Sequence, residues 1–301
     1  MTETIRVAVP RKGRPLEAVL ERLADRTGDA ALADDIVSTL RYEKAITKGN
    51  QSDDRDVYER LAEYSTLSDP SAPDYTLLRD DRAGMPRRIV FDSVTVESDG
   101  VEVQLIGREE PFRAVRTHEF ALGFDSADLV LEEVVELREE PLASIADVNA
   151  RINPKDTDVR VVTGLGDTVY HTLMATPETL RTGPSADLTR EFVADYDGRL
   201  CISPRYERLV QAVLGTGATD DLTFCYPDEG REEEAAVADV GLGVYLTMTG
   251  STAREHGLEL GEQLFPSETV LMENVVEMTD DADVVKNLFA EQEFETELAV
   301  Q

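Results

Sequence analysis

The segment LTMTGSTARE, residues 246–255, connects an apolar run to a helical pattern. The run Val244–Leu246 is typical of a buried strand, and Ala253–Leu258 is typical of the first turns of a helix. N–H groups at a helix start are positively polarised and bind anions, while hydroxyls and a glycine in the turn add donors and permit close approach. The residues of this predicted phosphate-binding turn are Thr249, Gly250, Ser251 and Thr252. An ordinary turn with a Ser or Thr N-cap is the alternative.

Strand-like apolar runs alternate with helical patterns on both sides of this turn. Such alternation predicts an α/β protein with mostly parallel sheets. The predicted strands are 5–9, 88–96, 101–106, 120–124, 158–162, 169–175, 199–203, 222–226, 241–246 and 269–274, and the main predicted helices are 16–23, 32–40, 57–64, 111–116, 188–195, 206–214, 229–237, 253–257 and 280–293. Residues from about 28 to 90 are less regular, and we interpret them as an insertion into the fold.

Three cationic side chains lie between the first strand, which ends at Pro10, and the first helix. The residues of this basic turn are Arg11, Lys12, Gly13 and Arg14. In an acidic chain, cations gathered at the start of a helix run against the general charge and indicate a second anion site. Solvent-facing surface residues without a ligand are the alternative.

The chain is strongly acidic, with 62 Asp and Glu against 30 Lys and Arg in 301 residues and a net charge of −32. Such a surface repels itself at low ionic strength and is screened within about 3 Å at 1 M salt. We therefore expect a halophilic protein of a high-salt cytoplasm, as in salt-accumulating archaea. A nucleic-acid mimic or a disordered chain is the alternative, which the even spread of acidic residues disfavours. The charge also disfavours nucleic-acid binding.

The two cysteines, Cys201 and Cys225, lie in strand-like runs without the spacing of a metal or redox site. We expect both to be reduced core residues. Residues 1–11 lack the apolar centre of a signal peptide, and no run reaches the ~18 apolar residues of a membrane span. The expectation is a soluble cytoplasmic protein that binds neither membrane nor nucleic acid.

Several turns, taken together, resemble those of the ATP phosphoribosyltransferase family, which opens histidine biosynthesis. The family's first strand ends in a Pro-Lys-Gly-Arg turn, to which residues 10–14 are similar. Its Asp-Leu-Gly-Ile-Thr-Gly-x-Asp and Gly-Phe-Gly segments resemble residues 121–128 and 164–166. Its phosphoribosyl pyrophosphate loop, Asp-x-x-Glu-Thr-Gly-x-Thr before a helix that ends in Asn-Gly-Leu, resembles residues 245–258. A fainter similarity to Glu-Ser-Ser-Ala-Arg-Leu-Ile-x-Asn spans residues 266–274.

The resemblance covers most of the chain and implies a two-lobed fold like that of type II periplasmic binding proteins. In that fold the chain crosses twice between lobes and the ligand lies in the cleft. We accordingly predict lobe I from residues 1–137 and 265–301 and lobe II from residues 138–264. We expect no C-terminal regulatory domain of the kind that long-form enzymes carry.

The resemblance also implies a reaction. The ribose 5-phosphate of phosphoribosyl pyrophosphate would be joined to N1 of ATP, or of a related acceptor, with release of pyrophosphate. The phosphate-binding turn would hold the 5-phosphate, and the basic turn would meet the pyrophosphate or the nucleotide. Mg²⁺ is the implied cofactor, with Asp125 and Asp128 as candidates to bind it through substrate phosphates; helix caps and solvated turns are the alternative use of these two residues. A homo-oligomer is left open, and no catalytic side chain is assigned.

Two departures from the family loop concern the sugar. Tyr245 stands at the loop's Asp position and Met248 at its Glu position, so both carboxylates that would hold ribose hydroxyls are missing. Two hypotheses follow. The chain is a transferase related to the family, or it is an inactive or repurposed paralogue that binds a phosphorylated ligand or acts as a regulatory subunit.

Overall fold

The computed structural model describes residues 4–66, 68–79, 87–98, 100–138, 142–228 and 231–290. Strands and helices alternate along much of these residues, and the predicted α/β class is confirmed. The strands are β1 (Thr4–Pro10), β2 (Asp74–Arg79), β3 (Arg87–Ser98), β4 (Val101–Arg108), β5 (Leu122–Ser126), β6 (Val159–Gly164), β7 (Val169–Ala175), β8 (Arg199–Ile202), β9 (Thr223–Cys225), β10 (Leu242–Thr247), β11 (Glu259–Ser267) and β12 (Thr269–Asn274). The helices are α1 (Gly13–Thr27), α2 (Ala30–Thr47), α3 (Val57–Tyr64), α4 (Pro111–Arg116), α5 (Ala127–Glu133), α6 (Ile145–Ala150), α7 (Pro177–Thr182), α8 (Arg190–Ala194), α9 (Glu207–Leu214), α10 (Thr216–Thr219), α11 (Glu233–Val240), α12 (Ser251–Glu255) and α13 (Asp280–Ala290). None of the helices in these ranges has the length and apolarity that crossing a bilayer requires.

Two compact units make up the chain. The first holds the described residues of Met1–Ser126, Pro154–Asp167 and Thr269–Thr296, and the second those of Ala127–Asn153 and Thr168–Glu268. Within the described residues the chain passes between these units four times, whereas the resemblance implies two crossings. The additional crossings arise because β6 pairs with β12 in the sheet of the first unit. The predicted lobe ranges place β6 in lobe II. Residues 291–301, at the end of predicted lobe I, and residues 80–86 of the predicted insertion lie outside the described residues.

The first unit is built on a seven-stranded sheet with the order β2-β3-β4-β1-β5-β12-β6. Its middle strand, β1, is parallel to both neighbours. Val7 and Val9 of this strand and Leu16 and Leu20 of α1 are almost completely buried in the same apolar core. The strand-turn-helix at the start of the chain is therefore the centre of this unit.

The second unit is built on a five-stranded sheet with the order β11-β7-β10-β8-β9. β10 is its middle strand, antiparallel to β7 and parallel to β8. The residues of its small core cluster are Met174, Cys201, Ala236, Val237, Tyr245, Ala253 and Leu258. Since β10 is central, the turn that follows it leaves from the middle of the sheet.

Both sheets are mixed, so the prediction of mostly parallel sheets is wrong. In the first unit β3 pairs antiparallel with β2 and β4, and β12 pairs antiparallel with β5 and β6. Two strands were not predicted, β2 and β11. β2 was missed because it lies in a stretch rich in Ser, Asp and Pro, which is typical of loops. β11 was missed because two register shifts in its pairing with β7 break the alternation that marks a strand.

The residues predicted as an insertion form packed structure, including α2, α3 and β2. Glu43 of α2 is 2% exposed and accepts two hydrogen bonds from Arg60 of α3, at 2.7 and 3.1 Å. The Tyr64 hydroxyl donates to the same carboxylate at 3.0 Å. A buried, fully hydrogen-bonded ion pair of this kind ties the two helices together, because removal of either partner leaves an unpaired charge.

Helix α11 packs directly onto strand β10. A Cβ placed on Gly243 would lie 2.5 Å from Val237 Cγ2 and 2.8 Å from the Cys201 carbonyl oxygen. Both distances are shorter than van der Waals contact, so only glycine permits this approach of helix and strand. The contact fixes the start of α11 relative to the turn that follows β10.

We predict that Gly243→Ala lowers the free energy of unfolding by about 1–3 kcal/mol, since the added methyl group overpacks this contact. Chemical unfolding in molar KCl, monitored by circular dichroism, measures the change. Gly217→Ala is the matched control, because nothing lies within 4 Å of a Cβ at that helical position. Equal stability of the two variants would contradict the close contact.

Candidate functional site

The predicted phosphate-binding turn lies between β10 and α12 in the second unit. α12 begins at Ser251, earlier than the predicted Ala253, and Gly250 is its N-cap with φ 68° and ψ 13°. Glycine adopts this left-handed conformation without the penalty that a Cβ brings. Thr249 Oγ1 lies 3.0 Å from Ser251 Oγ, and both side chains are exposed. The turn therefore presents hydroxyl groups to solvent on a backbone that glycine allows.

A cavity of about 220 Å³ opens at this turn. Its lining residues are Met174, Glu234, Leu246, Thr247, Met248, Thr249, Gly250, Ser251, Thr252 and Ala253, all of the second unit. The lining combines hydroxyl groups and backbone of the turn with apolar side chains and one carboxylate. Pockets for drug-sized ligands are typically about 300–1,000 Å³, so this cavity suits a small polar ligand.

Arg254 adds a cation to the turn. Its Nη2 donates a hydrogen bond to the Thr249 carbonyl oxygen at 3.0 Å, and its Nη1 would lie 3.2 Å from a Cβ placed on Gly250. The guanidinium group is therefore held against the turn, where its charge favours an anion. The sequence-based site did not include Arg254, although its place on the helix that follows Thr249 could have indicated it.

The two positions that depart from the family loop behave differently. Tyr245 is 3% exposed, and its hydroxyl lies 3.9 Å from Cys201 Sγ in the core. Burial raises the pKa of Tyr245 and the pKa of the Cys201 thiol, so both groups stay neutral at neutral pH. Met248 is 69% exposed and lines the cavity. Both cysteines are free; Cys201 is buried as expected, whereas Cys225 is only partly buried.

The basic turn lies between β1 and α1 in the first unit. Arg11 Nε donates to the Gly107 carbonyl oxygen at 3.1 Å, and its other nitrogens lie 3.9 Å from Asp92 and 3.7 Å from Glu109. Lys12 is the N-cap of α1 in extended conformation, and Gly13 follows with φ 80°. The side chain of Arg11 is thus already neutralised by acidic neighbours.

Arg14 pairs with Asp167 in the same unit. Its guanidinium donates to both the carbonyl and the carboxylate of Asp167, and the two side chains are 15% and 16% exposed. Asp167 also accepts hydrogen bonds from the backbone N–H and the hydroxyl of Thr269, at 2.8 and 2.7 Å. An anion that binds Arg14 therefore competes with a carboxylate that is held in place by Thr269.

The candidate metal ligands Asp125 and Asp128 are both committed to protein contacts. Asp125 accepts from the Phe112 N–H at 3.0 Å and the Ser126 N–H at 2.8 Å. Asp128 is 1% exposed and lies 2.8 Å from His171 Nε2. Among the described residues no group of three or more His, Cys, Asp and Glu side chains could hold a metal ion. These two carboxylates do not fit as direct Mg²⁺ ligands, and Mg²⁺ bound through substrate phosphates stays a prediction.

Sequence reasoning missed Glu234, the one charged side chain among the described residues that line the cavity. It belongs to the first turn of α11, well before the phosphate-binding turn in sequence. The packing of α11 against β10 brings Glu234 to the cavity, and no local sequence pattern predicts that contact.

Comparisons with known proteins give the following matches. The model of a family described as halobacterial ATP phosphoribosyltransferase matches residues 1–300, and no curated protein matches the chain. Among solved structures, the ATP phosphoribosyl transferase (HisG:HisZ) complex from Thermotoga maritima is 15% identical with a TM-score of 0.45, over 95% of this chain and 94% of that one. YhfZ from Shigella flexneri is 9% identical with a TM-score of 0.44, over 97% and 85% of the two chains. The VFT2 domain of Bordetella pertussis BvgS is 12% identical with a TM-score of 0.42, over 98% and 90%.

We predict that Gly250→Ala weakens the binding of inorganic phosphate about tenfold. A Cβ at Gly250 would lie 2.4 Å from Leu260 Cδ1 and 3.2 Å from Arg254 Nη1, so the Leu260 side chain and the cation of the turn must move. A loss of about 1.4 kcal/mol of binding free energy corresponds to this factor. Isothermal titration calorimetry in molar KCl measures it.

Gly257→Ala is the control for backbone strain. Gly257 has φ 70°, so Ala at either glycine carries the left-handed penalty of roughly 1–2 kcal/mol. Nothing lies within 4 Å of a Cβ added at Gly257, so only Gly250→Ala disturbs the turn. Equal phosphate affinity of the two variants would count against phosphate binding at this turn.

Proposed function

The chain belongs to the halobacterial ATP phosphoribosyltransferase family, and from this premise we propose that it joins the ribose 5-phosphate of phosphoribosyl pyrophosphate to N1 of ATP or a related acceptor. The bond from the sugar carbon C1 to pyrophosphate breaks as the bond from C1 to nitrogen forms, and pyrophosphate leaves. The observation that carries the proposal is the cavity at residues 249–252, which combines hydroxyl groups, a glycine-permitted backbone and a cation beside it.

In this proposal the turn binds the 5-phosphate. Thr249, Ser251 and Thr252 supply hydroxyl donors, and the first N–H groups of α12 have no partner within the helix. Arg254 neutralises part of the phosphate charge from its fixed place against Thr249. The small size of the cavity, about 220 Å³, fits a sugar phosphate better than a whole nucleotide.

The basic turn is proposed to bind the pyrophosphate or the nucleotide. Arg14 is the key side chain, since its guanidinium group matches the geometry of phosphate oxygens. Its pairing with Asp167 keeps this charge in place when no anion is bound. When an anion binds, the Arg14 guanidinium exchanges the carboxylate oxygen of Asp167 for a phosphate oxygen, and the backbone of the turn does not have to move.

The proposed chemistry needs no side-chain nucleophile. The reaction passes through a cationic sugar, and the protein accelerates it by holding the acceptor nitrogen in line with C1 and by stabilising the departing pyrophosphate. Mg²⁺, when bound through substrate phosphates, would supply further charge neutralisation. The roles assigned to the protein's own residues are therefore positioning and electrostatic stabilisation.

A second candidate function is supported by the altered loop. Tyr245 is buried in the core and Met248 is an exposed thioether, so neither loop position offers a carboxylate to a sugar. A chain that binds a phosphorylated ligand without glycosyl transfer, as an inactive paralogue or a regulatory subunit, would show the same turn.

Titration calorimetry with phosphoribosyl pyrophosphate and ATP in molar KCl with Mg²⁺, together with an assay of pyrophosphate release, separates the two candidates. We expect binding of the sugar pyrophosphate and release of pyrophosphate that depends on ATP. Binding without turnover would support the second candidate. A lack of any binding of phosphoribosyl pyrophosphate would rule out the transferase.

We further predict opposite effects of two substitutions in the basic turn. Arg14→Glu weakens binding of pyrophosphate at least tenfold because it places a negative charge where the ligand needs a cation, whereas Asp167→Asn strengthens it several-fold because Arg14 loses its carboxylate partner. Calorimetric titration with pyrophosphate gives both values, and thermal unfolding in the same buffer controls for folding. If Asp167→Asn leaves the affinity unchanged while Arg14→Glu only lowers stability, the pair has a structural role alone.

A further inference from the structure

The cavity contains a carboxylate that the proposed function has not yet used. Glu234 of α11 lines the cavity together with residues 246–253. A carboxylate does not bind a phosphate group, because two negative charges repel. It does accept hydrogen bonds from hydroxyl groups, and such charge-assisted bonds are stronger than neutral ones.

The position of Glu234 is fixed at two points. Val237 of the same helix packs against Gly243 of β10, where a Cβ would come within 2.5 Å. His256 Nε2, at the end of α12, lies 3.2 Å from Glu232 Oε2 at the N-cap of α11. The helix that carries Glu234 is therefore tied to the strand before the turn and to the helix after it.

The charge pattern of the cavity matches a ligand with two chemically different ends. The hydroxyl groups line the cavity at the turn, Arg254 is held against the turn outside the lining, and Glu234 comes from a separate helix. A sugar phosphate bound with its phosphate on the turn has its remaining donors, the ring hydroxyls, away from the phosphate. Inorganic phosphate alone would gain nothing from Glu234.

We propose that Glu234 accepts hydrogen bonds from the 2- and 3-hydroxyls of the ribose and so selects a phosphorylated ribose at this cavity. The inference rests on the proposed function, since it assumes that the turn holds the 5-phosphate. It assigns to α11 the recognition of the sugar, which the loop residues Tyr245 and Met248 do not provide. Glu234 is a specificity-determining residue and takes no part in bond making or breaking.

The test compares three probes in molar KCl by calorimetry: ribose 5-phosphate, 2-deoxyribose 5-phosphate and inorganic phosphate. The wild-type protein should bind ribose 5-phosphate about 10-fold or more tightly than the 2-deoxy sugar, since a hydrogen bond to a charged group is worth roughly 1.5–3 kcal/mol. In Glu234→Gln this preference should fall to about two- to fivefold, because the neutral Gln oxygen accepts only a weaker hydrogen bond, while the affinity for inorganic phosphate stays the same or rises.

Glu233→Gln is the matched control, because it removes the same charge from the same helix at an exposed residue outside the cavity lining. It should keep the wild-type preference, and thermal unfolding should show that both variants are folded. The inference is overturned if Glu234→Gln keeps the preference for ribose, or if both variants change the affinities for all three probes alike. In either case, a wild-type protein that binds ribose 5-phosphate still supports the proposed function. A wild-type protein that binds none of the three probes overturns both this inference and the proposed function.

Discussion

The close approach of helix α11 to strand β10 at Gly243 is the contact on which the site depends. Because the helix packs directly on the strand backbone, the start of α11 and the end of β10 are held in one arrangement. The phosphate-binding turn and Glu234 lie at these two ends, and both line the same cavity. The relative position of the turn and Glu234 therefore depends on the core packing of the second unit.

The altered loop has a consistent structural explanation. Tyr245 fills core space beside Cys201, so the position has become part of the packing that supports the turn. His256 contacts Glu232 at the end of the neighbouring helix. Tyr245 and His256, which are eleven residues apart in the sequence, thus belong to one contact region around α11. In our proposal the turn recognises the phosphate and the helix recognises the sugar.

Much of the fold could be predicted from the sequence, because β1, α1, β10 and the turn after it show clear changes of hydrophobic period and glycines at left-handed positions. The directions of the strands could not, since an antiparallel strand such as β12 has the same apolar pattern as a parallel one. β11 was missed because bulges disrupt its alternation. The turn residues were predicted from local chemistry and stay a prediction, whereas the place of Glu234 and the pairing of Arg14 with Asp167 result from long-range packing that one sequence does not reveal.

The buried pair of Glu43 and Arg60 has a consequence for the evolution and engineering of this chain. Arg60 and Tyr64, both of α3, donate hydrogen bonds to the carboxylate of Glu43, which belongs to α2. Loss of either helix alone would leave an unpaired charge in the interior, so we expect deletion of one helix to destabilise the chain more than replacement of the whole ion pair by apolar residues. The paired atoms of Glu43 and Arg60 are 2.7 and 3.1 Å apart, which is close to the Debye length of ~3 Å at 1 M salt. Because the pair is also buried, dissolved ions screen its attraction only weakly. At molar salt this pair therefore keeps its attraction, while the long-range repulsion across the acidic surface is screened.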